Sequence, residues 1–134
     1  MNRQEMIDRL KAGESPLDVS IRKWTAIVDA LKHKDRECID YSSATCELCY
    51  TNYPSCQSCP YYVHFGYRCD DESGIADDES STGHWLKFDD LVDEIYGTIA
   101  HSVRPDKLTD EEAAELTKLA IAMRDALIEI KEAQ

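Results

Sequence analysis

The chain has 134 residues and a formal net charge of −12 at pH 7. This length suits a single domain with a modest core, and no stretch approaches the ~20 apolar residues that a membrane-spanning helix needs. The charged N-terminal stretch lacks the apolar segment of a secretory signal, so we expect a cytoplasmic protein that does not contact a membrane.

The first 36 residues carry two helical patterns. The first covers residues 2–12, and Gly13 suits the position that ends a helix. The second covers residues 16–36, where Ser15 can cap the helix and Pro16 fits its first turn. Apolar side chains recur along it every three or four positions and predict one buried stripe: Leu17, Ile21, Trp24, Val28 and Leu31.

All six cysteines follow this helical part, between positions 38 and 69. Two Cys-x2-Cys pairs, Cys46 with Cys49 and Cys56 with Cys59, are separated by six residues, and Cys69 follows ten positions later. Two such turns can close a tetrahedral site around one ion. In a reducing cytoplasm, clustered cysteines bind metal more often than they form disulfides, which are the alternative.

Zinc is the expected ion, because thiolates are soft ligands and a closed sulfur site suits it. The simplest ligand set is the two pairs. The gap between them is short, so Cys69 competes for one position, and Cys38 could join to give two zinc ions that share thiolates. An iron–sulfur cluster is the other metal interpretation, since Pro60 follows the last of four clustered cysteines. His64 could replace a cysteine, but we leave it out of the ligand set.

Residues 37–69, the predicted zinc knuckle, also hold six of the seven tyrosines and few aliphatic side chains. Such a segment cannot build a core alone, so metal and aromatic rings must organise it. Residues 70–83 carry six acidic residues and are predicted to be a mobile acidic loop. Their spacing does not match a calcium-binding loop.

Helical periodicity resumes near Trp85 and predicts a helix that reaches about His101. Thr109 and Glu112 form a capping box that begins the last helix. The apolar stripe of this last helix has helical spacing: Leu116, Leu119, Met123, Leu127 and Ile130. Residues 84–134 are therefore predicted to be a helical pair. The elements together predict a mainly α-helical single domain, residues 1–134, with the cysteine-rich zinc knuckle inserted between helical halves.

The negative charge is unevenly distributed. Residues 1–45 are neutral, whereas residues 46–83 and 84–134 contribute −6 each. Negative potential repels phosphate, so nucleic acid is not the expected partner, and we expect a protein partner with a basic surface. Simple solubility is the alternative explanation of the charge. The basic residues that could favour nucleic acid lie on the second helix, with Asp29 and Asp35 among them: Arg22, Lys23, Lys32, Lys34 and Arg36.

The chain carries none of the motifs that indicate common enzyme chemistry. It has no glycine-rich phosphate loop, no His-Glu-x-x-His and no Gly-x-Ser-x-Gly. A redox Cys-x2-Cys usually lies in a βαβ unit, and no such pattern occurs here. We therefore expect no enzyme activity, and a redox or iron–sulfur protein is the weaker alternative.

Two sequence features together resemble a group of small phage and bacterial proteins with no assigned activity. In that group a SPL-x-x-S-x-x-KW helix precedes a C-x-L-C … C-x-x-C-P … C segment. Residues 15–24 here, SPLDVSIRKW, match the helix, and the matching cysteines are Cys46, Cys49, Cys56, Cys59 and Cys69. The resemblance spans residues 15–69, omits Cys38, and implies a phage or prophage origin and a metal site at those five cysteines.

From these observations we expect a non-enzymatic, metal-binding interaction protein of the host cytoplasm, such as an inhibitor of a host factor. The alternative is a nucleic-acid-binding accessory protein whose knuckle presents tyrosines to bases. The sequence does not indicate an oligomeric state.

Overall fold

The computed structural model describes residues 3–36, 38–41, 60–65, 83–97 and 102–133. The described part is mainly helical, which confirms the predicted α class. Its elements, in chain order, are α1 (Arg3–Lys11), α2 (Pro16–His33), β1 (Ile39–Asp40), α3 (Pro60–Phe65), α4 (His84–Tyr96), β2 (Ser102–Val103), a 3-10 helix (Pro105–Lys107) and α5 (Asp110–Ala133). Most of the predicted knuckle and acidic loop lies outside these residues.

Helices α2, α4 and α5 form the core, with α5 packed against both of the others. The two stripes predicted from helical periodicity face this core. Trp24 of α2 meets Phe88 of α4 edge-on, with ring centroids 5.3 Å apart. Among the stripe residues, Ile21 and Leu119 are only partly buried, and the others are buried in the core cluster. Helical spacing therefore identified the contact faces of α2 and α5.

The ends of α1 and α2 follow local backbone chemistry. Gly13 has φ +90°, and the residue before it donates a backbone hydrogen bond to Asp8, so α1 ends as predicted. Ser15 occupies the N-cap position of α2, but its side chain makes no cap hydrogen bond. Helix α2 ends at His33, earlier than predicted, because Lys34 adopts the left-handed conformation with φ 49°. Lys34 also pairs with Asp110, with its Nζ 2.8 Å from the carboxylate.

Helix α4 ends at Tyr96, so the prediction that it reaches about His101 is wrong. Gly97 follows with φ 72° and donates its N–H to the carbonyl oxygen of Asp93 at 2.8 Å. A glycine in this left-handed conformation ends the helix. The capping box of α5 is confirmed: Thr109 N–H donates to Glu112 Oε1 at 2.9 Å, and Glu112 N–H donates to Thr109 Oγ1 at 3.1 Å.

A short antiparallel pair joins the two halves of the chain and was not predicted. Strand β1 pairs with β2, with Ile39 opposite Val103, and both side chains are buried in the core. Residues 38–41 and 60–65 are the described part of residues 37–69, the predicted zinc knuckle. Neither β1 nor α3 was predicted there.

The described helices are all too short or too polar to cross a membrane.

Candidate metal-binding region

Five aromatic or imidazole side chains of the helical body flank the two stretches of sequence that contain the clustered cysteines. Residues 42–59 lie between Tyr41 and helix α3, and residues 66–82 lie between α3 and α4. We call the side chains at these junctions the collar: Tyr41, Tyr61, Phe65, His84 and Trp85. Tyr41 and Tyr61 are 0% and 1% exposed, so the chain is fixed by buried rings on both sides of residues 42–59.

Tyr41 attaches the start of the first stretch to α4. Its carbonyl oxygen accepts a hydrogen bond from Trp85 Nε1 at 2.7 Å. Its ring lies 4.9 Å from that of Phe88 and 5.9 Å from that of Trp85. Its hydroxyl donates to Asp89 Oδ1 at 2.7 Å. The backbone, the ring and the hydroxyl of Tyr41 therefore all contact helix α4.

Tyr61 attaches the end of the same stretch to the first residue of α4. Its hydroxyl accepts the backbone N–H of His84 at 3.1 Å and is hydrogen-bonded to Nδ1 of the same residue. The Phe65 ring lies 4.8 Å from Tyr61 and 5.6 Å from His84. Both ends of residues 42–59 are therefore held by His84 and Trp85, which are neighbours in sequence.

The predicted ligands Cys46, Cys49, Cys56, Cys59 and Cys69 all lie outside the described residues. In sequence, Cys59 is two residues from Tyr61, Cys69 is four residues from Phe65, and Cys46 is five residues from Tyr41. Cys38, which was left out of the shared set, is described, exposed and free.

His64 was left out of the ligand set, and the structure gives it a different neighbour. Its Nε2 lies 3.1 Å from Glu129 Oε2, which connects α3 to α5. His33, also interpreted as structural, is exposed, and its Nδ1 lies 2.8 Å from the carbonyl oxygen of Asp29. Neither contact is specific to metal binding.

A group of three carboxylates on α4 was missed in the sequence. One oxygen each from Asp89, Asp90 and Asp93 lies within 4.8 Å of the others. Asp89 is buried and Asp90 exposed. Within the described residues, Asp93 Oδ1 is a buried oxygen without a hydrogen-bond partner. In sequence these residues are at positions i, i+1 and i+4. On a helix this spacing brings the first and third residues to one face, so it could have identified the group.

The electrostatics around these carboxylates affect Tyr41. Burial raises the pKa of the Tyr41 hydroxyl well above its usual range, its hydrogen bond to Asp89 adds to the rise, and the charge of Asp93 contributes further. The tyrosine therefore stays neutral and remains a hydrogen-bond donor. This fixed donor offsets part of the cost of burying Asp89 beside two other acids.

The carboxylates and the cysteines suit different ions. Carboxylate oxygens are hard ligands that favour magnesium, calcium or manganese, whereas thiolates favour zinc or iron–sulfur clusters. Three neighbouring acids also occur in proteins without any ion, so the group alone does not assign a metal to α4. It leaves the cysteines as the candidate ligands for a soft metal.

Comparison with known proteins adds no relative. No family model matches the chain, and neither a curated protein nor a solved structure is significantly similar to it.

We predict that Asp93→Asn stabilises the protein. The change removes like-charge contacts with Asp89 and Asp90, each worth about 0.2–0.5 kcal/mol, so the melting temperature should rise by about 2–4 °C in a thermal unfolding scan without added divalent cations. Asp35→Asn is the matched control, because it removes one charge from an exposed position away from this helix. A fall in melting temperature for Asp93→Asn alone would contradict the repulsion argument.

Proposed function

We propose that this chain is a non-enzymatic zinc-binding protein that acts by binding a protein partner with a basic surface. Four of the five shared cysteines (Cys46, Cys49, Cys56, Cys59 and Cys69) would hold the ion. The observation that supports this best is the attachment of both ends of residues 42–59 to His84 and Trp85. A cysteine stretch whose ends are held together is favourable for closing a single metal site.

The fixed positions of Tyr41 and Tyr61 support metal binding through entropy. Ordering a free chain around an ion costs conformational entropy at every residue, and closing the loop adds a further cost. Here the helical body already fixes Tyr41 and Tyr61, so part of that cost is met before metal binds. Zinc fits this arrangement through its preference for four thiolates in a tetrahedron. An iron–sulfur cluster uses the same ligands and is the alternative cofactor.

The charge arrangement supports a protein partner over nucleic acid. Of the basic residues on or after α2 that could favour phosphate, Arg22 lies 2.6 Å from Glu14, Lys34 lies 2.8 Å from Asp110, and Lys23 is only 4% exposed. These contacts reduce the positive potential that the helix can present. Exposed acids remain on other elements of the described chain: Asp90, Glu94, Glu111 and Glu115. Such a surface attracts a basic protein and repels a phosphate backbone.

The resemblance to phage and bacterial proteins gives this proposal its biological setting. A small acidic protein in an infected or lysogenic host can act by occupying a basic surface of a host factor, which makes inhibition of such a factor the proposed role. Enzyme activity is not part of the proposal, because no catalytic motif was found in the sequence.

We predict that Cys49→Ser lowers stability by several kcal/mol and abolishes zinc binding, because the binding energy of a structural zinc is also folding energy. Cys38→Ser is the matched control, since Cys38 is exposed and lies outside the shared set. Thermal unfolding and metal content should be measured for both variants. Equal stability and equal zinc content in the two variants would contradict the proposed ligand set.

We predict no binding to a random DNA duplex at about 100 mM salt, because the chain and the phosphates repel each other. A gel-shift titration to micromolar protein, with single-stranded DNA and RNA alongside, measures this. Sub-micromolar, salt-sensitive binding that Lys32→Glu or Arg36→Glu weakens would overturn the interaction-protein proposal. It would support the nucleic-acid-binding alternative.

A further inference from the structure

At the junction between α3 and α4, one tyrosine hydroxyl makes hydrogen bonds with both the backbone and the ring of the same histidine. Tyr61 Oη accepts the backbone N–H of His84 at 3.1 Å and is hydrogen-bonded to Nδ1 of the His84 ring. A neutral imidazole accepts through one nitrogen only, so Nδ1 acts as the acceptor when the ring proton is on Nε2. In that state Tyr61 donates its proton to the ring and accepts the backbone proton.

We propose that His84 and Tyr61 form a proton-sensitive latch that holds helix α3 on the helical body and releases it when His84 is protonated. The proposal concerns described residues only and does not depend on the metal. It goes beyond the proposed function, because it assigns a regulatory role to the junction between the two cysteine-bearing stretches.

Protonation removes the acceptor on which the latch depends. A charged imidazolium carries protons on both nitrogens, so Nδ1 can no longer accept the Tyr61 proton. The Tyr61 oxygen would then have to accept from both the ring and the backbone N–H of His84, while its own proton loses the ring nitrogen as acceptor. The Tyr61 and Phe65 rings lie 5.8 Å and 5.6 Å from the His84 ring, so the new charge would also be partly removed from water.

The surroundings of His84 favour the neutral ring. Burial lowers its pKa below the usual value, Lys87 on the same helix lowers it further, and Glu129 on α5 opposes both effects. Helix α3 contributes Tyr61 and His64 to the same region. His64 lies 3.1 Å from Glu129 Oε2, so this carboxylate faces both histidines.

The sign of the pH dependence follows from the lowered pKa. The unfolded or released state binds the proton more readily, so the latch contributes its full stability above the unfolded pKa of about 6.5. That contribution is lost as the pH falls from there towards the pKa of the latched state. Helix α3 has only six residues, so it is the element that such a loss would release.

Hydrogen–deuterium exchange of the whole chain tests the latch. At about pH 7.5 and about pH 5.5, protection of peptides that contain residues 60–65 is compared with that of α5, after correction for intrinsic exchange. In the wild type, α3 protection should fall about threefold or more relative to α5. His84→Asn keeps an acceptor near the Nδ1 position but cannot be charged, so it should remove the pH dependence. His33→Asn, at an exposed histidine, should retain it.

Two outcomes would overturn the latch. One is α3 protection that does not change with pH in the wild type. The other is a pH effect that persists in His84→Asn, which would show that acid acts elsewhere, such as by protonating metal-binding thiolates. If His84→Asn folds poorly, NMR titration of the wild type replaces it: the His84 and Tyr61 ring signals must change together, with a midpoint below about 6.5. Independent midpoints would reject the coupling.

Discussion

The contacts of Tyr41 and Tyr61, which flank residues 42–59, with helix α4 are the constraint on which the candidate site depends. Trp85 binds the backbone of Tyr41, and His84 binds the hydroxyl of Tyr61. Helix α4 is in turn held by its packing on α5 and by the contact of Phe88 with Trp24. The helical body therefore fixes the two described residues, Tyr41 and Tyr61, that flank residues 42–59 in sequence.

The helical body could be predicted because its long helices carry strong local signals. The 3.6-residue periodicity of α2 and α5, the glycine after α1 and the Thr109–Glu112 capping box are each readable within a few residues. The short elements could not be predicted from local sequence signals. Strands of two residues have no measurable alternation, and α3 is too short to show helical periodicity. The end of α4 was missed because the apolar pattern continued past Gly97, although the glycine conformation ends the helix.

For the candidate site the sequence predicts only a chemistry. Cysteine spacing predicts a ligand type and a class of ion, which stay predictions, and the choice among Cys46, Cys49, Cys56, Cys59 and Cys69 depends on geometry that no local pattern encodes. The tyrosines illustrate the same point. All six in residues 37–69 were expected around the knuckle, yet Tyr41 and Tyr61 are core residues of the helical body. Their partners, Asp89 and His84, are 48 and 23 residues away in sequence.

Two sets of polar groups with different roles meet at α4. Burial, together with Asp89 and Asp93, keeps Tyr41 neutral, and burial favours the neutral ring of His84. Tyr41 and Tyr61 flank residues 42–59 in sequence, so both contacts with α4 lie beside the cysteine-bearing stretch.

Metal analysis and an absorption spectrum of freshly purified protein test the central claim most directly. The account predicts about one zinc ion per chain and no visible absorption. Metal-free protein with paired cysteines, or a coloured iron-containing protein, would contradict it.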